Sequence, residues 1–178
     1  MSKVRNLFWI VMCLLAFPAL ARAETTACDL LTKADVQEII GMQVTETRSR
    51  SLELCAGFCE TTTGTGCMYI GTLAGAQHVA YLAVELPPYF KRDMVGFARA
   101  FMKSEADSGA QTAEMVVVGQ PAFWGFSPKN QSQLHILDGD EVHFLIIEQG
   151  PGVAAENDIA LQHAQAMAAR VYDRYKAQ

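Results

Sequence analysis

Two cysteines separated by three residues, Cys55 and Cys59, are the clearest candidates for chemistry in this chain, and Cys67 and Met68 follow them. Thiolate and thioether sulfurs grouped in this way can hold a soft metal ion such as copper, and two thiols can also act in redox exchange. A redox dithiol usually lies at a helix N-terminus, where the helix dipole lowers the thiol pKa. Residues 60–66 are instead β-branched and glycine-rich. They predict a flexible loop, so structural disulfides are favoured over metal binding and redox activity.

A predicted hairpin supplies a second candidate site. Residues 133–137 and 142–148 are apolar enough to form two adjacent strands, and Asp138-Gly139-Asp140 between them is a typical turn sequence. The loop predicted for this hairpin is residues 138–140.

Pairing of apolar side chains in this hairpin aligns Ile136 with Val142, which places His135 opposite His143. Two imidazoles with Cβ atoms about 5 Å apart can share a metal ion, or a proton at about pH 6. The alternative is two half-exposed histidines without a ligand, and a register change of one residue would put them on opposite faces. The remaining histidines are expected at surface or boundary positions.

The first 23 residues predict export. Lys3 and Arg5 precede an apolar run from Leu7 to Leu20, and Ala21-Arg22-Ala23 is a small-x-small cleavage site. This is the pattern of a secretory signal peptide, and the run is too short for a transmembrane anchor. We expect this segment to be removed and residues 24–178 to form a single domain, periplasmic or secreted, without a stable membrane anchor.

Charge and motif content exclude several functional classes. Cleavage would remove three of the 14 basic residues and none of the 19 acidic ones, which leaves 11 basic residues and a formal net charge of −8. An acidic surface repels phosphate groups, so nucleic acid is not an expected partner. The sequence contains no nucleophile elbow, H-E-x-x-H motif, phosphate-binding loop or dinucleotide fingerprint. No catalytic residue and no cofactor is therefore assigned.

An exported chain with four mature cysteines is expected to form disulfides. Cys28, Cys55, Cys59 and Cys67 allow three pairings, and sequence alone does not choose among them. Our working hypothesis is Cys28–Cys67 with Cys55–Cys59. In the chain-entropy model the first closes a loop of about 40 residues and contributes about 4 kcal/mol, and the second contributes about 2 kcal/mol.

Hairpins and amphipathic segments together predict an α+β fold: an antiparallel sheet of about five to seven strands, covered by amphipathic helices and stapled by disulfides. The first helix has an N-cap at Thr32, a capping-box residue at Asp35 and a terminating Gly41. Residues 44–54 form a polar strand suited to a sheet edge. Further strands are predicted at residues 67–73, 79–86, 115–118, 122–126, 133–137 and 142–148, and further helices at residues 89–106 and 156–175.

Three aromatic side chains fall in one predicted strand: Phe123, Trp124 and Phe126. They are candidates for the lining of a hydrophobic pocket. Because aromatic side chains at alternating strand positions usually fill interiors, core packing is the favoured interpretation.

The opening segment Cys28-Asp-Leu-Leu-Thr-Lys-Ala-Asp-Val36, followed by Gly41, resembles the start of a group of bacterial extracytoplasmic domains. Many of these are lipoproteins of unknown function, and some are similar to the outer sensor domain of mycobacterial receptor-type protein kinases. The similarity continues through Cys67-Met-Tyr, Gly119-Gln-Pro-Ala-Phe-Trp124, a hairpin containing Gly139 and an alanine-rich last helix.

This resemblance implies a Cys28–Cys67 disulfide and an α+β sheet, and it implies no reaction. The chain departs from the group in its Cys55/Cys59 pair and in the lack of a lipid anchor.

Together these observations favour an exported, non-enzymatic binding or sensor module whose partner is an envelope protein or a small ligand. One alternative is a copper-handling protein that uses the sulfur groups between Cys55 and Met68, or the His135/His143 pair. A second alternative is an envelope enzyme whose site no motif reveals.

Overall fold

A seven-stranded antiparallel sheet forms the framework of the chain, and helices pack on both of its faces. The computed structural model describes residues 25–56, 60–86, 93–127, 130–139, 141–151, 153 and 157–178, so the predicted signal peptide lies outside the described residues. The helices are α1 (Ala27–Leu30), α2 (Lys33–Ile40), α3 (Met94–Asp107) and α4 (Asn157–Lys176). The strands are β1 (Gln43–Ala56), β2 (Glu60–Leu73), β3 (Ala76–Leu86), β4 (Gln111–Val117), β5 (Gln120–Ser127), β6 (Gln131–Asp138) and β7 (Val142–Gln149). The predicted α+β class with an antiparallel sheet is confirmed.

The sheet consists of two meanders joined side by side. Its strand order is β1-β2-β3-β7-β6-β5-β4, and all neighbours are antiparallel. The first meander is β1 to β3 and the second is β4 to β7, with α3 between them along the chain. The pairing of β3 with β7, which we call the central seam, therefore joins strands that are distant in sequence.

Side-chain alternation gives the sheet two different faces. Phe144 and Ile146 in β7 point into the main core, which α1, α2 and α4 cover. On the other face α3 packs over β4, β5 and β6. A smaller core there contains Met94, Ala98, Met102, Phe123 and Leu137. None of the helices within the described ranges combines the length and the apolarity that crossing a membrane requires.

The N-terminal helices are fixed by capping groups and by a disulfide. Thr32 and Asp35 form the predicted capping box, with the Thr32 N–H donating to the Asp35 carboxylate at 2.8 Å. Gly41 ends α2 with φ of 77°, the left-handed conformation that glycine adopts without strain. Cys28 in α1 is bonded to Cys67 in β2, with Cα atoms 5.1 Å apart. The helices are thus tied covalently to the sheet, as the working hypothesis for this pair predicted.

The prediction of a flexible loop at residues 60–66 is wrong, because these residues belong to β2: all of them pair with β1, and residues 63–66 also pair with β3. The glycines there permit close packing. A Cβ on Gly66 would lie 2.5 Å from the Tyr81 hydroxyl oxygen, and one on Gly64 would lie 2.4 Å from the Val84 carbonyl oxygen. Cys59 and the side chain of Cys55 lie outside the described residues, so the second disulfide stays a prediction.

Two element boundaries also differ from the sequence-based expectation. The strand predicted from Met115 begins at Gln111, because its polar first half pairs through backbone hydrogen bonds with β5 and carries no apolar signal. Of the helix predicted over residues 89–106, the described part begins at Met94, where the Asp93 side chain accepts a hydrogen bond from the Gly96 N–H at 2.7 Å.

Candidate functional site

A cavity of about 170 Å³ lies between α3 and the sheet, next to one end of the central seam. We call it the α3 cavity. Apolar side chains of α3 form one side, and polar groups from β3, β6 and β7 form the other. The lining residues are Glu85, Met94, Ala98, Phe101, Met102, His135, Leu137 and His143.

The sequence of α3 explains why space remains there. Met94, Ala98 and Met102 are spaced four residues apart and therefore lie along one face of the helix. The small side chain of Ala98 lies between two long ones, and this leaves room above the sheet. Phe101 closes one side of the cavity: it remains 38% exposed, and its ring packs edge-on against His135 with centroids 5.6 Å apart.

His135 and His143 are in direct contact on the cavity wall. Nδ1 of His135 lies 3.0 Å from Nε2 of His143, and the two ring planes are within 5° of parallel. The structure brings together the histidines that the sequence paired, but in a register shifted by two residues. Leu137, not His135, is opposite His143, because Asp138 belongs to β6 and pairs with Val142. A shift of two keeps both rings on the same face, where they meet diagonally.

Glu85 determines where the protons of this pair lie. Its Oε2 is 3.0 Å from His143 Nδ1, and both side chains are 16% exposed. An ionised carboxylate only accepts, so His143 Nδ1 carries a proton, and in the neutral His143 ring Nε2 then has a free lone pair. His135 Nδ1–H donates to that lone pair. The network therefore leaves His135 Nε2 as an acceptor.

The environment of His135 keeps its ring neutral. Burial lowers the pKa of His135 to about 3, and the positive charge that His143 carries when it is protonated acts in the same direction. Its Nε2 is buried and has no hydrogen-bond partner among the described residues. A buried acceptor without a partner costs about 1–3 kcal/mol. A ligand that donates a hydrogen bond to this nitrogen would recover that free energy.

The predicted metal ligands are only partly brought together. Cys67 is engaged in the disulfide and is therefore not available as a thiolate. Met68 follows it on β2 and so points to the opposite face of the sheet, while Cys59 is not among the described residues. Among the predicted ligands whose side chains the structure describes, only His135 and His143 meet. Within the described ranges no three or more His, Cys, Asp or Glu side chains are arranged to hold a metal ion.

The three aromatic candidates for a pocket are buried on two different faces. Phe123 lies in the smaller core under α3. Trp124 and Phe126 lie in the main core on the opposite face, with ring centroids 6.3 Å apart. None of the three is among the residues that line the α3 cavity.

Sequence reasoning missed Glu85 and the methionines. Glu85 meets His143 only because β3 and β7 pair across the central seam, and no local pattern indicates that pairing. Met94 and Met102 recur at helical spacing within the helix predicted at residues 89–106, which is the common pattern of a core helix. The small Ala98 between them is the one signal that a cavity lies beneath this face.

A second histidine cluster lies on the other face of the sheet. His78 and His163, expected at surface or boundary positions, flank Glu148. His78 is 2% exposed and is therefore a core residue, contrary to that expectation.

Comparisons with known proteins give no assignment. No family model matches the chain, and neither a curated protein nor a solved structure matches it significantly. The resemblance to extracytoplasmic sensor domains therefore stays a prediction, and the function is argued from the residues themselves.

Proposed function

We propose that this protein is an exported binding module whose α3 cavity takes a small, largely apolar molecule carrying one hydrogen-bond donor. The observation that carries this proposal is the buried, unpartnered Nε2 of His135, because His135 lines a cavity that is otherwise mostly apolar. The signal-peptide pattern and the Cys28–Cys67 disulfide support a location outside the cytoplasm.

Cavity size limits the ligand. The cavity measures about 170 Å³, and an apolar protein cavity of about 150 Å³ can hold benzene. The ligand, or the part of it that enters, is therefore about as large as one six-membered ring. Methionine side chains adapt their shape to such a guest, and both Met94 and Met102 border the space.

The polar wall determines which group the ligand carries. Because Glu85 orients His143 and His143 orients His135, the free nitrogen presents a lone pair and accepts a hydrogen bond. A hydroxyl or an N–H group on the ligand satisfies it, whereas a ligand that offers only acceptors leaves it unpaired. Phenol is thus a suitable probe, and fluorobenzene is a probe of similar size without the donor.

The test is a titration of the exported protein with each probe, followed by backbone amide and histidine ring resonances in NMR spectra. We expect phenol to bind at least ten-fold more tightly than fluorobenzene, with the largest shifts at His135 and Phe101. Equal affinities would refute the donor requirement, and shifts elsewhere on the molecule would refute the site.

Two substitutions on α3 provide a matched pair. Ala98→Leu fills the cavity and should weaken phenol binding at least ten-fold. Ala100→Leu adds the same atoms to an exposed position on the same helix and should leave binding unchanged. If both variants bind phenol like the parent protein, the cavity is not the site.

Copper binding is a second candidate function for the same cavity. His135 and His143 have nitrogens 3.0 Å apart, and two thioethers border the same space. Imidazole and thioether groups are ligands that Cu(I) accepts. Glu85, bonded to His143, would then orient a ligand from outside the metal's coordination shell.

Competition between the protein and a chromophoric Cu(I) chelator tests this alternative. Met94 and Met102 are eight residues apart on α3, about 12 Å along the helix axis, so separate Met→Leu variants show which thioether takes part. Met68→Leu, on a different element, is the control. Tight Cu(I) binding that depends on His143 and on one cavity methionine would support copper handling, and no competition with the chelator would eliminate it.

A further inference from the structure

A buried carboxylate lies between two histidines on the face of the sheet opposite the α3 cavity. His78 Nε2 is 2.8 Å from Glu148 Oε1, and His163 Nδ1 is 3.1 Å from Glu148 Oε2. The side chains of His78 and Glu148 are each 3% exposed, and that of His163 is 19% exposed. This cluster crosses the central seam and reaches α4.

Glu148 retains its negative charge in this position. Burial alone would raise the pKa of Glu148, but the hydrogen bonds from His163 and His78, together with the positive charges of these rings when they are protonated, outweigh burial and leave the pKa below its usual value. Among the described charged groups, only these two histidines act on it. An imidazole carries a positive charge only in its protonated form, so the described residues give this carboxylate no permanent counter-charge.

A cavity of about 200 Å³ adjoins the carboxylate. Besides the cluster itself, its walls are mainly apolar: Leu73, Ala74, Pro151, Val153, Ile159 and Ala160. A carboxylate has about four acceptor positions, and the two histidine donors do not use all of them. The site therefore combines a buried negative charge, free acceptor capacity and an apolar space next to it.

We propose that this second cavity binds a small organic cation, a protonated primary amine with a short alkyl chain. The ammonium group donates to the Glu148 carboxylate and supplies a positive charge that does not depend on histidine protonation, and the alkyl chain packs against Leu73 and Ile159. A hydrated metal ion fits less well, because no three metal-binding side chains in the described part of the chain converge on one point. The site is independent of the α3 cavity and of the function proposed for it.

The probe is n-propylammonium, and 1-propanol is its neutral counterpart of similar size. We expect n-propylammonium to shift the ring resonances of His78 and His163 in NMR spectra, with a dissociation constant at or below the millimolar range. Propanol should bind at least ten-fold more weakly. The histidines of the α3 cavity, His135 and His143, should not respond to either compound.

Glu148→Gln removes the charge and keeps the shape, and it should weaken n-propylammonium binding at least ten-fold. Glu114→Gln is the matched control, since Glu114 is an exposed carboxylate paired with Arg99 on an edge strand. If Glu148→Gln fails to fold, two other measurements test the proposal. One is n-propylammonium binding to His163→Gln, which changes the more exposed side of the cluster. The other is the set of NMR chemical-shift changes that n-propylammonium causes in the parent protein. Equal binding of propanol and propylammonium, or unchanged histidine resonances, overturns the proposal.

Discussion

Asp35 and Arg174, which are 139 residues apart in sequence, form a bidentate ion pair. Arg174 Nη2 donates to Asp35 Oδ1 at 2.9 Å, and Nη1 donates to Asp35 Oδ2 at 2.6 Å. The same guanidinium donates to the Leu30 carbonyl at 2.7 Å, so the C-terminal turn of α4 holds both N-terminal helices. Asp35 also caps α2 through Thr32, and one carboxylate thus links a local capping box to a contact between residues 139 apart in sequence.

Asp35→Asn should destabilise the protein by about 2 kcal/mol, because charge-assisted hydrogen bonds to a nearly buried group are lost. The hydrogen bond from Arg174 holds the pKa of Asp35 well below its usual value. Its contribution is therefore complete above the unfolded-state pKa of about 4 and declines as the pH falls toward the depressed folded-state pKa.

Urea unfolding of the parent and of Asp35→Asn at pH 7 and at pH 3 measures both effects. The difference between the two proteins should shrink at the lower pH. Glu38→Gln is the control, since its pair with Arg170 is exposed on both sides and should change stability by less than about 1 kcal/mol. Similar losses in both variants would contradict a special role for Asp35.

Replacing both Cys28 and Cys67 by alanine should lower the free energy of unfolding by about 4 kcal/mol. The bond closes a segment with a sequence separation of 39, and removing it increases the conformational freedom of the unfolded chain. Reversible urea unfolding provides the measurement. A loss below about 1 kcal/mol would mean that the N-terminal helices are held by packing and by Arg174 instead.

His135→Leu should make the free energy of unfolding depend less on pH in the range below about pH 6.5. Because the folded-state pKa of His135 is about 3 and the unfolded-state value is about 6.5, the unfolded chain takes up a proton in this range and the folded protein does not. This group therefore stabilises fully above pH 6.5, and its contribution falls by up to about 1.4 kcal/mol per pH unit below that. Unfolding free energies at pH 7, 6 and 5 test this, and an unchanged slope in His135→Leu would refute the assignment.

Ala74→Asn should stabilise the protein by about 0.5–1 kcal/mol. Ala74 has φ of 51° and Gly75 has φ of 82° in the two-residue turn between β2 and β3. Asparagine tolerates the left-handed conformation better than alanine does, and Asn-Gly is the favoured sequence for such a turn. Thermal unfolding measures the gain. Ala100→Asn, in the exposed part of α3, should instead lower stability because asparagine is a weaker helix former.

The sequence predicted the elements of the fold well and their pairing less well. The capping residues Thr32 and Asp35 and the terminating Gly41 act within one helix, so local spacing was sufficient. The hairpin register was wrong by two residues. Side chains alternate with a period of two, and the predicted and observed registers bury the same apolar set, so the pattern cannot separate them.

The candidate site was also predicted only in part, because local patterns indicate contacts within one hairpin but not contacts between distant elements. His135 and His143 share a hairpin, and their proximity follows from short-range pairing. Glu85, Ala98 and Phe101 reach the site from other elements, and their positions depend on the central seam and on the placement of α3. Residues 60–66 were wrongly predicted to be a flexible loop, because glycine is found both in mobile loops and where backbones pack closely. The contacts of these glycines with Tyr81 and Val84 show that close packing applies here.

Within the described strands, the two halves of the sheet meet only where β3 pairs with β7, and both polar clusters bridge that line. Glu85 and His143 link the strands on one side, and His78 and Glu148 link them on the other. A ligand bound in either cavity therefore contacts residues of both meanders. It should slow amide hydrogen exchange along the central seam more than anywhere else.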